Sequence, residues 1–145
     1  MCVSRHYSFN ILLEGSPGSM KSPEILQRME RLGESLEELP HTRKVVSLAD
    51  YVKRVNRELN GGVPEAAVLP ESAEAVAQEL FLFELSGAGR HELSRITTSD
   101  YSKAQMSIKL ASMSSDVVFE QINEAERRTE AVFSGSGITT TVTGA

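Results

Sequence analysis

Two β-α-β patterns, one at each end of the chain, predict an α+β fold. Each pattern has an alternating apolar segment, an amphipathic segment of helical periodicity and a second short apolar segment. A long stretch with its own helical periodicity separates the two patterns. Together these observations predict a ferredoxin-like split β-α-β sandwich: a four-stranded antiparallel sheet with two helices on one face. A mainly helical insertion over residues 48–102 replaces the usual hairpin between the second and third strands.

The first β-α-β unit begins with an alternating segment that predicts a half-buried strand over residues 6–14. Ser22 and Pro23 are typical of an N-cap and a first helical position, so a helix is predicted over residues 23–38. A short apolar segment at residues 43–47 predicts the second strand. The apolar face of the first strand comprises Tyr7, Phe9, Ile11 and Leu13.

The second unit has the clearest strand signal, an apolar-polar alternation over residues 103–112. A helix is predicted over residues 115–133, and the glycines at 135 and 137 end it. A last strand follows over residues 138–143. The apolar stripe predicted for this helix comprises Val118, Ile122, Ala125, Thr129 and Val132.

Four residues lie at the middle of their apolar stripes and should be nearly fully buried. They are Leu32, Leu36, Ile108 and Ile122.

The insertion predicts two helices. Ser47 and Asp50 form a capping-box pattern before a helix over residues 48–59, which the Asn60-Gly61-Gly62 sequence ends. A second helix is predicted from Pro70 to Leu85, and residues 86–89 would end it. Residues 93–100 are typical of either a short strand or an extended loop.

The two inserted helices differ in charge, so an antiparallel pairing would bring opposite charges together. Such a hairpin would pack its apolar faces on the sheet edge; the alternative is a surface that binds a partner. The basic residues of the first helix are Lys53, Arg54 and Arg57, and the acidic residues of the second are Glu71, Glu74, Glu79 and Glu84.

Composition excludes several classes of protein. The 145 residues correspond to about one domain, and we expect a single domain over residues 1–145. The net charge of −5 argues against a nucleic-acid binder. The single Cys2 excludes an internal disulfide and a C-x-x-C redox pair. No signal peptide is recognisable, so we expect either a cytoplasmic protein or a segment of a larger one; the short end after residue 142 is a feature that a segment would show, but it does not decide between the two.

Catalytic motifs are lacking, and we expect neither an enzyme nor a cofactor or metal site. His6, His41 and His91 have no metal-ligand partners at suitable spacing and are expected at the surface. The Gly15-Ser-Pro-Gly18 segment could in principle bind an anion, but it lacks the lysine and hydroxyl of a P-loop. A plain strand-to-helix turn is the favoured interpretation.

Five segments of the middle and C-terminal parts of the chain carry a family resemblance. They are Val46-Ser-Leu-Ala-Asp-Tyr-Val-Lys-Arg-Val-Asn56, Leu69-Pro-Glu-Ser72, Gln78-Glu-Leu-Phe-Leu-Phe-Glu-Leu-Ser-Gly87, Ser99-Asp-Tyr-Ser102 with Ala104, and Val142-Thr-Gly144. Taken in this order, they resemble the extracytoplasmic loops of RND-superfamily exporters, in the branch that exports hydrophobic and amphiphilic molecules. The resemblance covers residues 7–145, with a stronger likeness to the second-half loop than to the first.

This resemblance implies a porter domain outside the cytoplasmic membrane, built on a ferredoxin-like module. It implies as partners the membrane helices and second porter region of a parent transporter, a homo-oligomeric parent and a hydrophobic or lipid-like substrate, with no nucleic acid. Asp100 and Tyr101 match the D-Y signature of the family, for which hydrogen bonds that fix the loop are expected. The alternative is a free-standing ferredoxin-like regulatory or small-ligand-binding module.

A possible ligand or partner surface is expected on the insertion. Its candidate residues are Tyr51, Phe81 and Phe83, because the insertion has more apolar residues than one sheet face can cover.

Overall fold

The computed structural model describes residues 7–111 and 114–143, and shows four strands and five helices within them. In chain order the elements are β1 (Tyr7–Glu14), α1 (Pro23–Glu37), β2 (Thr42–Val46), α2 (Leu48–Leu59), α3 (Ala73–Glu84), α4 (Gly87–Ser94), β3 (Lys103–Leu110), α5 (Ser115–Phe133) and β4 (Thr139–Thr143).

The four strands form one antiparallel sheet in the order β2-β3-β1-β4. This is the order of a split β-α-β fold, because β1 and β3 lie at the centre and each β-α-β unit adds one edge strand. The predicted ferredoxin-like α+β fold is therefore confirmed. Residues 6 and 112 of the predicted strands lie outside the described residues, as do Cys2, His6 and the end of the Val142-Thr-Gly144 segment.

The hydrophobic core lies between the sheet and the helices. Phe9, Ile11 and Leu13 of β1 are buried, and they pair in register with Ile108, Met106 and Ala104 of β3. The core also contains Leu26, Met29, Leu32 and Leu36 of α1. We call the four strands of the sheet, together with α1 and α5, the sandwich. The predicted burial of Leu32, Leu36 and Ile108 is confirmed.

The predicted burial of Ile122 is wrong, although Ala125 and Thr129 of the same predicted stripe are buried. Ile122 is half-buried at the edge of the core. Gln121 takes a buried position instead, since its side-chain amide donates a 3.0 Å hydrogen bond to Thr42 Oγ1. A polar group that finds a partner can be buried at small cost. The buried residues of α5 are Gln121, Ala125, Thr129 and Phe133.

The insertion, residues 48–102, contains α2, α3 and α4. The α2 prediction is confirmed, including its capping box, in which the Ser47 backbone N–H donates to Asp50 Oδ2 at 2.8 Å. The second helix starts later than the predicted Pro70, at Ala73. The reason is that the Ser72 hydroxyl accepts a hydrogen bond from Ala75 N at 3.1 Å and caps the helix there.

The sequence predicts that residues 86–89 end the second inserted helix. They end α3, but a further helix, α4, follows directly. Ser86 caps the additional helix α4, and its hydroxyl accepts a 2.9 Å hydrogen bond from Gly89 N. A Cβ atom at Gly89 would lie 2.1 Å from the Phe83 carbonyl oxygen. Gly89 is therefore required by the close approach of α4 to the end of α3. After α4, Thr97 forms an isolated antiparallel bridge with Ala104 of β3.

The predicted charge pairing between α2 and α3 is wrong. Lys53 of α2 bonds to Glu30 of α1 at 2.9 Å, and Arg54 bonds to Glu92 of α4 at 2.9 Å. Within the described residues, no salt bridge joins α2 to α3. The two helices instead contact through apolar side chains, because the charged groups of α2 reach helices on either side.

Within residues 7–111 and 114–143, no helix has both the length and the hydropathy of a membrane span.

Candidate interaction surface on the insertion

Tyr51 and Phe83 form an aromatic pair that joins α2 to α3. Their ring centroids are 6.2 Å apart with an interplanar angle of 43°. The Arg54 guanidinium lies 5.1 Å from the Tyr51 ring and 5.5 Å from the Phe83 ring. Cations at this distance from aromatic faces are attracted to them. Because Arg54 also bonds to Glu92, this cluster holds three helices of the insertion together.

Phe81 lies apart from this pair. Two residues along a helix correspond to a rotation of about 200°, so Phe81 and Phe83 lie on opposite faces of α3. Phe83 is half-buried, whereas the Phe81 side chain is 59% exposed. Of the three predicted surface residues, the structure thus brings two together as a packed pair and leaves one facing outward.

The outward face of α3 carries more apolar side chains than the prediction named. Leu82 and Leu85 lie beside Phe81 at helical spacing and are also exposed, Leu85 at 63%. A helix that is apolar on both faces is typically covered on both faces in its native setting. The seven exposed large apolar side chains of the described residues include six from the insertion: Leu59, Val63, Val68, Phe81, Leu82 and Leu85.

An open groove lies beside Tyr51, between the free edge of β2 and α2. Its volume is about 470 Å³. Lys44 and Arg54 line it together with Glu37 and Asp50, so charges of both signs face it. Such a mixed lining does not select one class of small ligand.

Asp100 and Tyr101 lie in a tightly hydrogen-bonded loop, residues 97–102, which we call the clasp loop. The Asp100 carboxylate accepts hydrogen bonds from Ser102 Oγ at 2.7 Å, Ser102 N at 3.0 Å and Thr98 Oγ1 at 2.9 Å. These bonds, that from the Ser102 hydroxyl first, hold the pKa of Asp100 below its usual range. Asp100 therefore stabilises the turn around itself.

Tyr101 connects the clasp loop to the insertion. Its side chain is only 3% exposed, and its hydroxyl donates a hydrogen bond to the Glu84 carboxylate at the end of α3. Burial, together with this bond and the negative charge of Glu84, raises the pKa of the Tyr101 phenol. Tyr101 has a φ of +56°, a conformation that non-glycine residues rarely adopt. The surrounding contacts therefore have to hold it in place.

The backbone of the clasp loop also binds the turn after β1. The N–H groups of Gly15, Gly18 and Met20 donate to the carbonyl oxygens of Ser102, Asp100 and Tyr101, at 2.8, 2.8 and 3.0 Å. Because these donors are occupied, the Gly15–Gly18 segment is not arranged as an anion cradle, and it serves as a strand-to-helix turn.

Glu79 is one of the acidic residues predicted for the second inserted helix, but its side chain is buried in the structure. It is only 7% exposed, and its Oε2 atom is buried without a hydrogen-bond partner. Burial raises the pKa of its carboxyl group. The signal was present in the sequence, because Val76, Glu79, Leu80 and Phe83 share the spacing of one helical stripe.

The described histidines and acidic side chains do not form a metal site in the part of the chain that the structure describes. His41 and His91 are exposed, and no group of three or more His, Cys, Asp or Glu side chains is arranged to hold a metal there.

Comparison with known proteins gives no match: neither a protein-family model nor a curated protein matches this chain significantly.

Proposed function

We propose that this chain is the extracytoplasmic porter segment of an RND-type exporter, which contributes to the export path for hydrophobic or amphiphilic molecules. The observation that carries the proposal is the ordered set of five segments that resembles the porter loops of that family. The ferredoxin-like fold supports it, because that family uses such modules in its porter region. A fold alone hosts many functions, so the sequence resemblance remains the main argument.

The strand arrangement is compatible with a loop between two membrane helices. β1 and β4 are antiparallel neighbours, and Asn10 near the start of β1 pairs with Thr143 at the end of β4. The start of β1 and the end of β4 therefore lie on the same side of the domain. A loop that leaves and re-enters one membrane surface requires this geometry.

The outward face of α3 is the surface that we assign to the export path or to a neighbouring porter module. Phe81, Leu82 and Leu85 are exposed there, and none of the described residues covers them. An exposed apolar group of this kind commonly marks a contact site. In this proposal the domain performs no chemistry and moves as a unit, while membrane helices of the parent transporter supply the energy.

The alternative is a free-standing ferredoxin-like module that binds a small ligand, and one cavity favours it. Apolar side chains of β1, β3 and α5 surround a space of about 250 Å³, among them Phe9, Leu110, Phe119 and Ile122. Ligand pockets typically measure about 300–1,000 Å³. The cavity is thus small for this role, and we favour the porter assignment.

Tagging the native gene tests the proposal. An epitope inserted between Gly61 and Gly62, in an exposed turn after α2, leaves the core intact. We expect a tagged product much larger than 15.9 kDa, in the cytoplasmic-membrane fraction and accessible to protease from outside the cytoplasm. A tagged product of about the calculated mass in the soluble fraction would refute the proposal and favour the free-standing module.

Amphiphile binding, followed by NMR shifts of the 145-residue chain, distinguishes the two surfaces. We expect weak shifts of Phe81, Leu82 and Leu85 with a detergent monomer below its micelle concentration. The variant F81S/L85S should lose them, whereas F119S should keep them. Tight, saturable shifts centred on Phe119 and Ile122 would contradict the porter assignment.

A further inference from the structure

The buried acid of α3 has no compensating group around it. Glu79 lies on the inward stripe of α3, between Val76 and Phe83, and its Oε2 atom is buried without a partner. The positions three and four residues away on its own helix are Ala75, Val76, Leu82 and Phe83, none of which can neutralise a charge. An ionised carboxylate in such a place is costly, and a protonated one is much less so.

Among the described residues, no hydrogen bond or salt bridge joins Glu79 to a charged side chain of the elements that pack against α3. These elements are α2, α4, the 3-10 turn Ser19–Lys21 and the clasp loop, whose Tyr101 hydroxyl donates to Glu84. Their titratable and charged side chains are Asp50, Tyr51, Lys53, Arg54, Arg57, Glu58, Arg90, His91, Glu92, Lys21, Asp100 and Tyr101.

Several of these side chains are already engaged. Lys53 bonds to Glu30 and Arg54 bonds to Glu92, while Lys21 lies 4.6 Å from the centre of the Tyr101 ring. Burial raises the pKa of Glu79, and no neighbouring charge contributes to this increase. The Glu79 carboxyl group therefore has one buried oxygen without a bonded partner, on the same helical stripe as the buried Val76 and Leu80.

We propose that Glu79 is a proton-controlled latch for α3: the helix packs closely when the Glu79 carboxyl group is protonated and is loosened when it is ionised. The proton is exchanged with solvent when α3 opens. Since α3 also carries the exposed Phe81, Leu82 and Leu85, the latch would control how firmly that apolar face is held. The inference concerns this chain itself and does not depend on the exporter assignment.

The direction of the effect follows from linkage. A carboxyl group whose pKa is raised by folding retains its proton longer in the folded state than in the unfolded one. The folded state is therefore favoured most at low pH. This contribution is lost as the pH rises from the ordinary glutamate value of 4.5 through the raised value.

Hydrogen exchange of α3 amides in the 145-residue chain tests the latch, after correction for the intrinsic pH dependence of exchange. Between pH 5 and pH 8 we expect α3 protection to fall several-fold in the wild-type protein and to stay constant in E79Q. The exposed Glu74 on the same helix provides the matched control, and E74Q should behave like the wild type. Equal pH dependence in the wild type and E79Q would overturn the proposal.

A direct titration covers the case in which E79Q does not fold. Carboxyl ¹³C NMR of the wild-type protein should give Glu79 a midpoint above the ordinary glutamate value of 4.5, with α3 amide shifts that follow the same midpoint. A Glu79 midpoint in the usual range, or α3 amides that ignore it, would also overturn the proposal.

Discussion

In the sandwich, the apolar side chains of β1, β3 and α1 are almost completely buried, whereas the insertion leaves six large apolar side chains exposed. The sandwich has one such exception, Phe119 of α5, at 68% exposure. Both regions have amphipathic helices, so the difference does not come from composition alone. Apart from Phe119, the apolar side chains of the sandwich are thus covered within the described residues, while those on the outer face of α3 are not.

The largest expected effect comes from the same substitution made in each region. Leu36→Ala in the sandwich removes a fully buried side chain and should cost about 2–5 kcal/mol in the free energy of unfolding. Leu85→Ala on the insertion removes an exposed one and should change it by less than about 0.5 kcal/mol. Urea denaturation measures both. Similar costs at the two positions would break the comparison.

The bond between the clasp loop and α3 should give the next largest effect. Tyr101→Phe removes the hydroxyl that donates to Glu84 and should cost about 1.5 kcal/mol or more, because the acceptor is charged. Tyr51→Phe is the matched control, since the Tyr51 hydroxyl makes no hydrogen bond within the described residues. A double-mutant cycle with Glu84→Gln isolates the pair. No coupling between the two positions would mean that the clasp loop does not hold α3.

Helix caps should give smaller effects that differ in extent between α2 and α3. Ser47→Ala disrupts the capping box that joins β2 to α2 and should cost about 1 kcal/mol in global stability. Ser72→Ala removes the cap of α3, whose outer face is exposed, and should appear mainly as faster local hydrogen exchange in that helix. If Ser72→Ala lowered global stability as much as Ser47→Ala, α3 would be as firmly packed as α2.

Asp100 should show an electrostatic effect with little change in stability, because it is fully exposed. NMR titration should place its pKa below the usual value of 3.8, and Ser102→Ala should raise that pKa by removing the hydroxyl donor. The depressed pKa means that Asp100 favours the folded state above the unfolded value and loses this contribution as the pH falls through the folded one. An unchanged pKa in Ser102→Ala would contradict this assignment.

The strands and most helices followed from local patterns, because alternation and helical periodicity report which side of an element faces the core. The apolar pattern of α5 does not predict the burial of Gln121, because its hydrogen bond to Thr42 on β2 joins residues 79 apart in the sequence and no local pattern shows such a bond. The sequence predicts a helix stop that includes Gly89, whereas close packing of α4 on α3 requires a glycine there. Tyr51 and Phe83 were identified as candidates, but their pairing through Arg54 depends on how the helices pack.

The shared core has a consequence for how the chain folds. The insertion leaves the sheet after β2 and returns at its antiparallel neighbour β3, so a short hairpin could replace it without changing the strand order. Yet Leu48, Val52, Val76 and Leu80 belong to the same hydrophobic core as β1 and α1. Excision would uncover that core and leave a shortened protein with too little apolar burial. We therefore expect the sandwich and α2 to unfold in one cooperative transition, with α3 also able to open locally before it.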